Sequence, residues 1–340
     1  MFQGVQKEFR PMTNVSNLLD RQTFRTQVEQ LWGIEVNALC PAALIEGSPE
    51  RSLSRAVFED GSGKRFLIEA FAASKRGHRN WVAAILAFLN RKGLTKALAP
   101  QAALNGEILP FIGETCFQIT RYLNSAGIER PGWLASSQMG QDMATFLIDM
   151  HGAAKGITQN FSFSDFSIKA YIYKLFKDME VHHPKMLTQY LPILKFLEKG
   201  FMAAYDTLPS GFCHGDFHPL NVIWGPLSCN SQIQAVIDWE FTGMKPDCYD
   251  AANLVGCAGI EHPEGLAMPM VTTFLSSIKA AGLLSPTSLK WFPEYVLALR
   301  FAWLSEWLRK ADHQMLDMEL AFMNIVIGNM DDLIDIWELN

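Results

Sequence analysis

Residues 212–224 read Phe-Cys-His-Gly-Asp-Phe-His-Pro-Leu-Asn-Val-Ile-Trp, and residues 235–240 read Ala-Val-Ile-Asp-Trp-Glu. Asp216 and Asn221 stand five residues apart, and Asp238 closes an apolar run. A carboxylate on a rigid loop can align a hydroxyl and accept its proton. An amide oxygen and a second carboxylate are hard ligands suited to Mg²⁺. In this order the three groups are what Mg²⁺-dependent phosphoryl transfer from ATP requires.

Each residue taken alone has a plainer reading. Asp216 after Gly215 could be a turn aspartate, Asn221 an Asx-turn or cap, and Asp238 half of a buried ion pair. The joint spacing is what favours chemistry. An aspartate at the end of the buried-looking run Ala235-Val236-Ile237 is costly unless paired or metal-bound. His214 and His218 have the His-x-x-x-His spacing of a helical zinc site. Gly215 and Pro219 break helices, so the spacing does not favour zinc.

At 340 residues the chain is long enough for two lobes, each with its own core. Hydrophobic residues make up 49% and charged residues 19%, a globular composition rather than a disordered one. A net charge of −6 argues against a nucleic-acid partner, because phosphate binding needs a basic surface. Six cysteines are scattered with no Cys-x-x-Cys, which reads as reduced thiols in a cytoplasmic protein. No apolar run reaches about 18 residues, so a membrane partner is not expected.

Along the chain, residues 1 to about 20 read as a loose arm, and 23–33 as an amphipathic helix ending at Gly33. Strand signals follow at 43–46, 53–58 and 66–71, the last two flanking the turn Asp60-Gly61-Ser62-Gly63. A helix is expected over about 78–92, and strands over 107–112 and 116–122. From Gly132 helical periodicity dominates, at 139–151, 168–179, 187–204, 293–310 and 316–337. Only 211–240 interrupts it. The expected fold class is α+β, with a β-rich N-terminal lobe over 1–122 and a mainly helical C-terminal lobe over 123–340.

His214-Gly215-Asp216-x-His218-Pro219-x-Asn221, followed by Ile237-Asp238-Trp239-Glu240, resembles the aminoglycoside phosphotransferase and choline kinase superfamily. Asp247-x-Tyr249-Asp250-x-Ala252 and Leu147-Ile148-Asp149-Met150-His151 are similar to the same family. The resemblance implies a two-lobed protein-kinase-like fold and ATP- and Mg²⁺-dependent transfer of phosphate to a small-molecule hydroxyl. It implies Asp216 as catalytic base, Asn221 and Asp238 as Mg²⁺ ligands, and Asp250 and His214 as supports of the loop. Gly47 and Ser48 would lie over the phosphates, and Gln118 to Tyr122 beside the adenine. Glu46-Gly47-Ser48-Pro49 also reads as a simple turn.

The family pattern departs at Glu69, which falls where a lysine normally holds the α- and β-phosphates. The following helix offers Lys75, Arg76 and Arg79 and no glutamate. A reversed ion pair, with Glu69 holding Arg76 or Arg79 toward the phosphates, is one reading; a solvated charge run is the other. For the acceptor, Trp303 and Trp307 share a helical face with Glu306 close by, a pattern suited to a cationic amine or to core packing. Glu240, Asp247 and Asp250 add negative charge, which also favours an amine-bearing acceptor. Aminoglycosides, choline or ethanolamine, homoserine and thioribose-type sugars all fit. The alternatives are a pseudokinase that binds nucleotide or metabolite without turnover, favoured by Glu69, and a protein kinase. Gly215, Asp-Trp-Glu and the lack of an Ala-Pro-Glu segment disfavour the protein kinase.

Overall fold

The computed structural model of the chain describes residues 14–47, 51–226 and 233–339. It divides into two compact units, one running to Ala126 and taking in Gln234–Glu240, the other comprising Gly127–Ile233 and the chain from Phe241 onward. The architecture is the two-lobed α+β one.

The N-terminal unit begins with α1 (Val15–Leu19) and α2 (Gln22–Trp32). Gly33 stops α2 in the left-handed region, at φ 67°. Strands β1 (Ala38–Leu39), β2 (Ser54–Glu59), β3 (Arg65–Phe71), β4 (Phe111–Ile112) and β5 (Thr115–Arg121) form one antiparallel sheet in the order β1-β2-β3-β5-β4. The β2–β3 turn is locked by Asp60, whose carboxylate accepts from the amides of Ser62 and Lys64.

Alternation sorts the sheet into two faces. Ala56, Phe58, Phe66, Ile68, Ala70, Phe117 and Ile119 face a core closed by Val15, Leu19, Phe24, Val28 and Trp32. Residues 15–19, expected as part of a loose arm, are therefore a core element: α1 lays Val15 and Leu19 on the sheet. The opposite face carries Arg55, Glu69 and Gln118 in one row, because Arg55 pairs with Glu69 and Glu69 with Gln118. The strand expected over 43–46 does not form; the short edge strand is Ala38–Leu39 instead. Helix α3 (Arg76–Arg91) buries Val82, Ile85, Leu86 and Leu89. The 234–240 segment joins this unit through a bridge in which Val236 donates its amide to the Lys96 carbonyl at 2.8 Å.

The C-terminal unit holds α4 (Ser137–Ala153), α5 (Ile168–His182), α6 (Pro184–Glu198) and α7 (Phe201–Ala204). Next come the short strands β6 (Ser210–Cys213) and β7 (Val222–Trp224), and β8 (Ile233–Val236), whose residues from Gln234 onward belong to the N-terminal unit. Strand β9 (Gly243–Pro246) precedes α8 (Tyr249–Glu261), α9 (Pro269–Ala280), α10 (Pro286–Lys290), α11 (Phe292–Lys310), α12 (His313–Gly328) and α13 (Met330–Ile336). The single helix expected over 187–204 is two, because Gly200 packs against the Trp291 ring where a Cβ would lie only 2.6 Å away. The periodic run 316–337 likewise breaks at Asn329, between α12 and α13. Strands β6 and β9 pair antiparallel, Cys213 opposite Gly243 and Ser210 opposite Pro246. This ribbon carries the loop that follows Cys213.

Candidate active site

The loop 214–221 is built almost entirely on backbone hydrogen bonds to buried side chains. Asp250, at the start of α8, accepts from the amides of His214 (2.7 Å) and Gly215 (2.8 Å). His214 is fully buried, and its Nδ1 accepts from the Asp216 amide at 3.2 Å. Thr242 donates its hydroxyl to the Cys213 carbonyl, and Asn253 its amide to the Phe217 carbonyl. Gly215 has φ +88°, and a Cβ there would sit 2.1 Å from the Phe241 carbonyl oxygen. Only glycine fits under that backbone, which is why a Gly stands beside the aspartate.

Asp216 is 6% exposed. The Asn221 side-chain amide donates to its carbonyl at 2.8 Å and its carboxylate at 3.0 Å, and His218 Nε2 lies 3.4 Å from the other carboxylate oxygen. With the amide nitrogen so engaged, what Asn221 has left is a carbonyl oxygen, chemically the kind of donor a hard ion takes. Burial pushes the Asp250 carboxyl up to about 6, against the lowering effect of the two amides it accepts.

In the N-terminal unit, Asp238 adopts φ 66° and lies against Gly47, where a Cβ would be 2.9 Å from its carboxylate. Gly47 has φ 82°, so its glycine is required twice over. Ser48 lies outside the described residues. Arg51 ties the segment together: Nη1 meets the Asp238 carboxylate at 3.1 Å and Nε meets Glu240 at 3.1 Å. Arg79 reaches the other Glu240 oxygen at 3.4 Å, with its guanidinium 4.3 Å above the Phe71 ring. Arg55, directly across from Glu69, donates to the carbonyls of Glu46 (3.1 Å) and Gly47 (2.9 Å). Glu69 is half-buried, and its carboxyl is raised first by burial, opposed chiefly by Arg79.

Several expectations are corrected by these contacts. Arg76 turns away from Glu69, to Glu107 at 3.0 Å and the Leu109 carbonyl at 2.9 Å. Glu240, Asp247 and Asp250 are not spare negative charge: arginines hold Glu240, Asp247 accepts from the Ser285 amide and the Ser288 hydroxyl, and Asp250 carries the loop. Trp303 and Trp307 stack at 5.9 Å, but Arg300 and Lys310 already lie over their rings. Trp307 donates to Glu319, the partner of Arg300. Glu306 pairs with Arg309 and Lys310. These three residues are helix packing and surface pairing rather than an open cation cage. Gln118 is buried and bonds Thr120, and the Tyr122 hydroxyl donates to the Leu44 carbonyl. Sequence reasoning passed over Arg51, Arg55 and Lys245. Arg55 stands out only once the β2–β3 register is known, and Arg51 and Lys245 have no local pattern.

Among curated protein sequences none matches this one. Solved structures do. A microcompartment-associated aminopropanol kinase is 12% identical with a TM-score of 0.67, over 92% of this chain and 98% of that one. An aminoglycoside phosphotransferase from Alicyclobacillus acidocaldarius is 14% identical with a TM-score of 0.63, over 87% and 93%. The amicoumacin kinase hAmiN, solved in complex with AMP-PNP, Ca²⁺ and Ami, is 13% identical with a TM-score of 0.62, over 92% and 94%. At such identities the likeness is one of fold. The sequence profile of the phosphotransferase enzyme family, APH, matches residues 52–275, most of the chain and the whole of the loop just described, and the chain belongs to that family.

Proposed function

We propose that the protein is an ATP- and Mg²⁺-dependent kinase that phosphorylates a hydroxyl of a small molecule. The observation that carries this is the pairing of Asp216 with Asn221: a nearly buried carboxylate held by the side-chain amide of an asparagine five positions on. Asp216 orients the acceptor hydroxyl and receives its proton. For Mg²⁺, Asn221 offers an amide oxygen and Asp238 a carboxylate, both hard donors. When bound, the metal neutralises charge on the transferred phosphate. Gly47 lies against Asp238, where a Cβ would be 2.9 Å from the carboxylate, and Arg55 fixes the carbonyls of its loop. Gln118 lies on β5 and Tyr122 directly after it, in the stretch expected beside the adenine.

With Glu69 in the lysine position, the cationic work on the phosphates passes to Arg55 and Arg79. Both act on Glu69, and Arg55 faces it across the strand pair. A second reading, binding without turnover, draws on the Arg51–Asp238 ion pair, which already neutralises the candidate metal-binding carboxylate. One experiment separates the two. Incubation with Mg·ATP and a panel of hydroxylated acceptors should release ADP, and Asp216→Asn should reduce the rate by about 10²–10⁴-fold. A nucleotide-induced thermal shift with no ADP from any acceptor would establish the second reading instead.

A further inference from the structure

A cavity of about 600 Å³ opens beside the ribbon that carries the Asp216 loop. Its wall includes Ser210, Met244 and Lys245 of β6 and β9, together with Phe163, Phe166 and Tyr205. Its size is that of a small-molecule site. Lys245 is 8% exposed. Its ammonium lies 4.5 Å from the Phe166 ring centre and 5.2 Å from that of Tyr249. It makes no ion pair among the described residues, and burial holds it below the usual lysine range against the pull of Cys213 and Asp250. A buried ammonium without a carboxylate partner is costly, and such residues concentrate at binding sites.

Three further features give the cavity a sign and a direction. Lys245 bends back along β9: its ammonium is 3.8 Å from where a Gly243 Cβ would lie, and Gly243 faces Cys213. Asp216 stands three positions after Cys213, a span of at most about 10 Å at roughly 3.3 Å per residue. Ser167, also in the wall, caps α5, so the positive end of that helix borders the same space. The negative residues of the wall, Asp165 and Asp206, are exposed, and Asp206 is paired with Lys169. Positive charge lies inside the cavity, and negative charge lies at its rim.

We propose that this cavity receives the acceptor and that Lys245 binds a carboxylate on it, so the substrate is a hydroxylated carboxylic acid rather than a polycationic amine. The proposal rests on the phosphotransferase reading for the hydroxyl, but the anion site stands on its own geometry. Aromatic walls accommodate an apolar body between the two ends.

The test uses ω-hydroxy carboxylates of four to ten carbons against amino alcohols and diols of matched length, at constant ionic strength. Thermal shift reads binding, and ADP release reads turnover. The hydroxy acids should stabilise the wild type and exceed the amino alcohols in kcat/KM by about 20-fold or more. Lys245→Met should abolish that preference by raising KM with kcat nearly unchanged, the mark of lost uniform binding. Lys245→Arg should keep part of it, and the nucleotide-induced shift should persist in both. Lys245→Gln replaces Lys245→Met if the latter does not fold. Stabilisation by the acids, lost in Lys245→Met, without ADP release would uphold the anion site and reject the phosphotransferase reading. The proposal is overturned by a preference for amino alcohols, by a ratio that Lys245→Met leaves unchanged, by a response to inorganic phosphate alone, or by no thermal response to any acid.

Discussion

The loop around Asp216 and the sheet face around Glu69 solve opposite problems. The loop fixes its carboxylate with neutral donors: the Asn221 amide on Asp216, and backbone amides on Asp250. The sheet face and the segment beside it are held by alternating charges, Arg55 across from Glu69, Arg79 on Glu240 and Arg51 on both Glu240 and Asp238. Neutral hydrogen bonds fix geometry without supplying a counter-charge that must later be displaced. A charge network stays adjustable, because an incoming anion can exchange for one of its carboxylates. On the proposed function, the loop is therefore the rigid part of the chemistry and the arginine face its adaptable part.

The sharpest way to break this contrast is at Gly215. An alanine there places a Cβ 2.1 Å from the Phe241 carbonyl at a left-handed φ. Gly215→Ala should lower unfolding free energy by about 2 kcal/mol or more and reduce turnover at least about 100-fold. Denaturant titration and ADP release check it. Near-normal stability and activity would show that the loop has slack, and the contrast would fail.

On the other side, Arg55→Ala and Arg79→Ala should each weaken nucleotide binding by about tenfold, or about 1.4 kcal/mol, with kcat changed less. Arg76→Ala serves as control, because Arg76 is bound to Glu107. Isothermal titration with ADP measures all three. Unchanged affinity in both Arg55→Ala and Arg79→Ala would mean that the phosphates are gripped elsewhere.

Much of the loop was legible in the sequence because its chemistry is local. His214, Gly215, Asp216 and Asn221 lie within eight positions, and a Gly under a crossing backbone and an Asn reaching back five residues are short-range facts. The face was legible only in part. Strand alternation placed Glu69, but its partner Arg55 depends on the register between β2 and β3. The role of Arg51 depends on contacts nearly two hundred positions apart in the chain. Helix existence was readable from apolar period, whereas the breaks at Gly200 and Asn329 were set by what packs against them. Lys245 was unreadable because its meaning comes from the rings that surround it in the fold.

Acid sharpens the comparison from within the loop. The Asp250 carboxyl is pushed up to about 6 in the folded protein from an ordinary 3.8. A raised folded value means that this group favours the fold below about pH 4 and loses that contribution as pH rises through about 6. Wild type should therefore gain stability relative to Asp250→Asn as pH falls from 7 to 5, by at most about 1.4 kcal/mol per pH unit. Parallel denaturant titrations across that range decide it. A difference that moves the other way would place the Asp250 carboxyl below its ordinary value, held by the two amides rather than raised by burial.

The smallest effect is expected at Glu306, on a helix face belonging to neither region. Its carboxyl is lowered to about 2, first by the hydrogen bond to Arg309, yet the side chain lies at the surface. Exposed pairs of this kind contribute about 0–1 kcal/mol, since solvent screens them and ordering two long side chains costs entropy. Glu306→Gln should shift stability by less than about 0.5 kcal/mol and leave KM for every acceptor within about twofold. The neighbouring aromatics point the same way: Trp307 donates to Glu319 inside the Arg300 network, so its stack with Trp303 is part of the packing between α11 and α12. A rise in KM confined to amine-bearing acceptors in Glu306→Gln would return acceptor recognition to this helix. It would also overturn the proposed role of Lys245 in selecting the substrate.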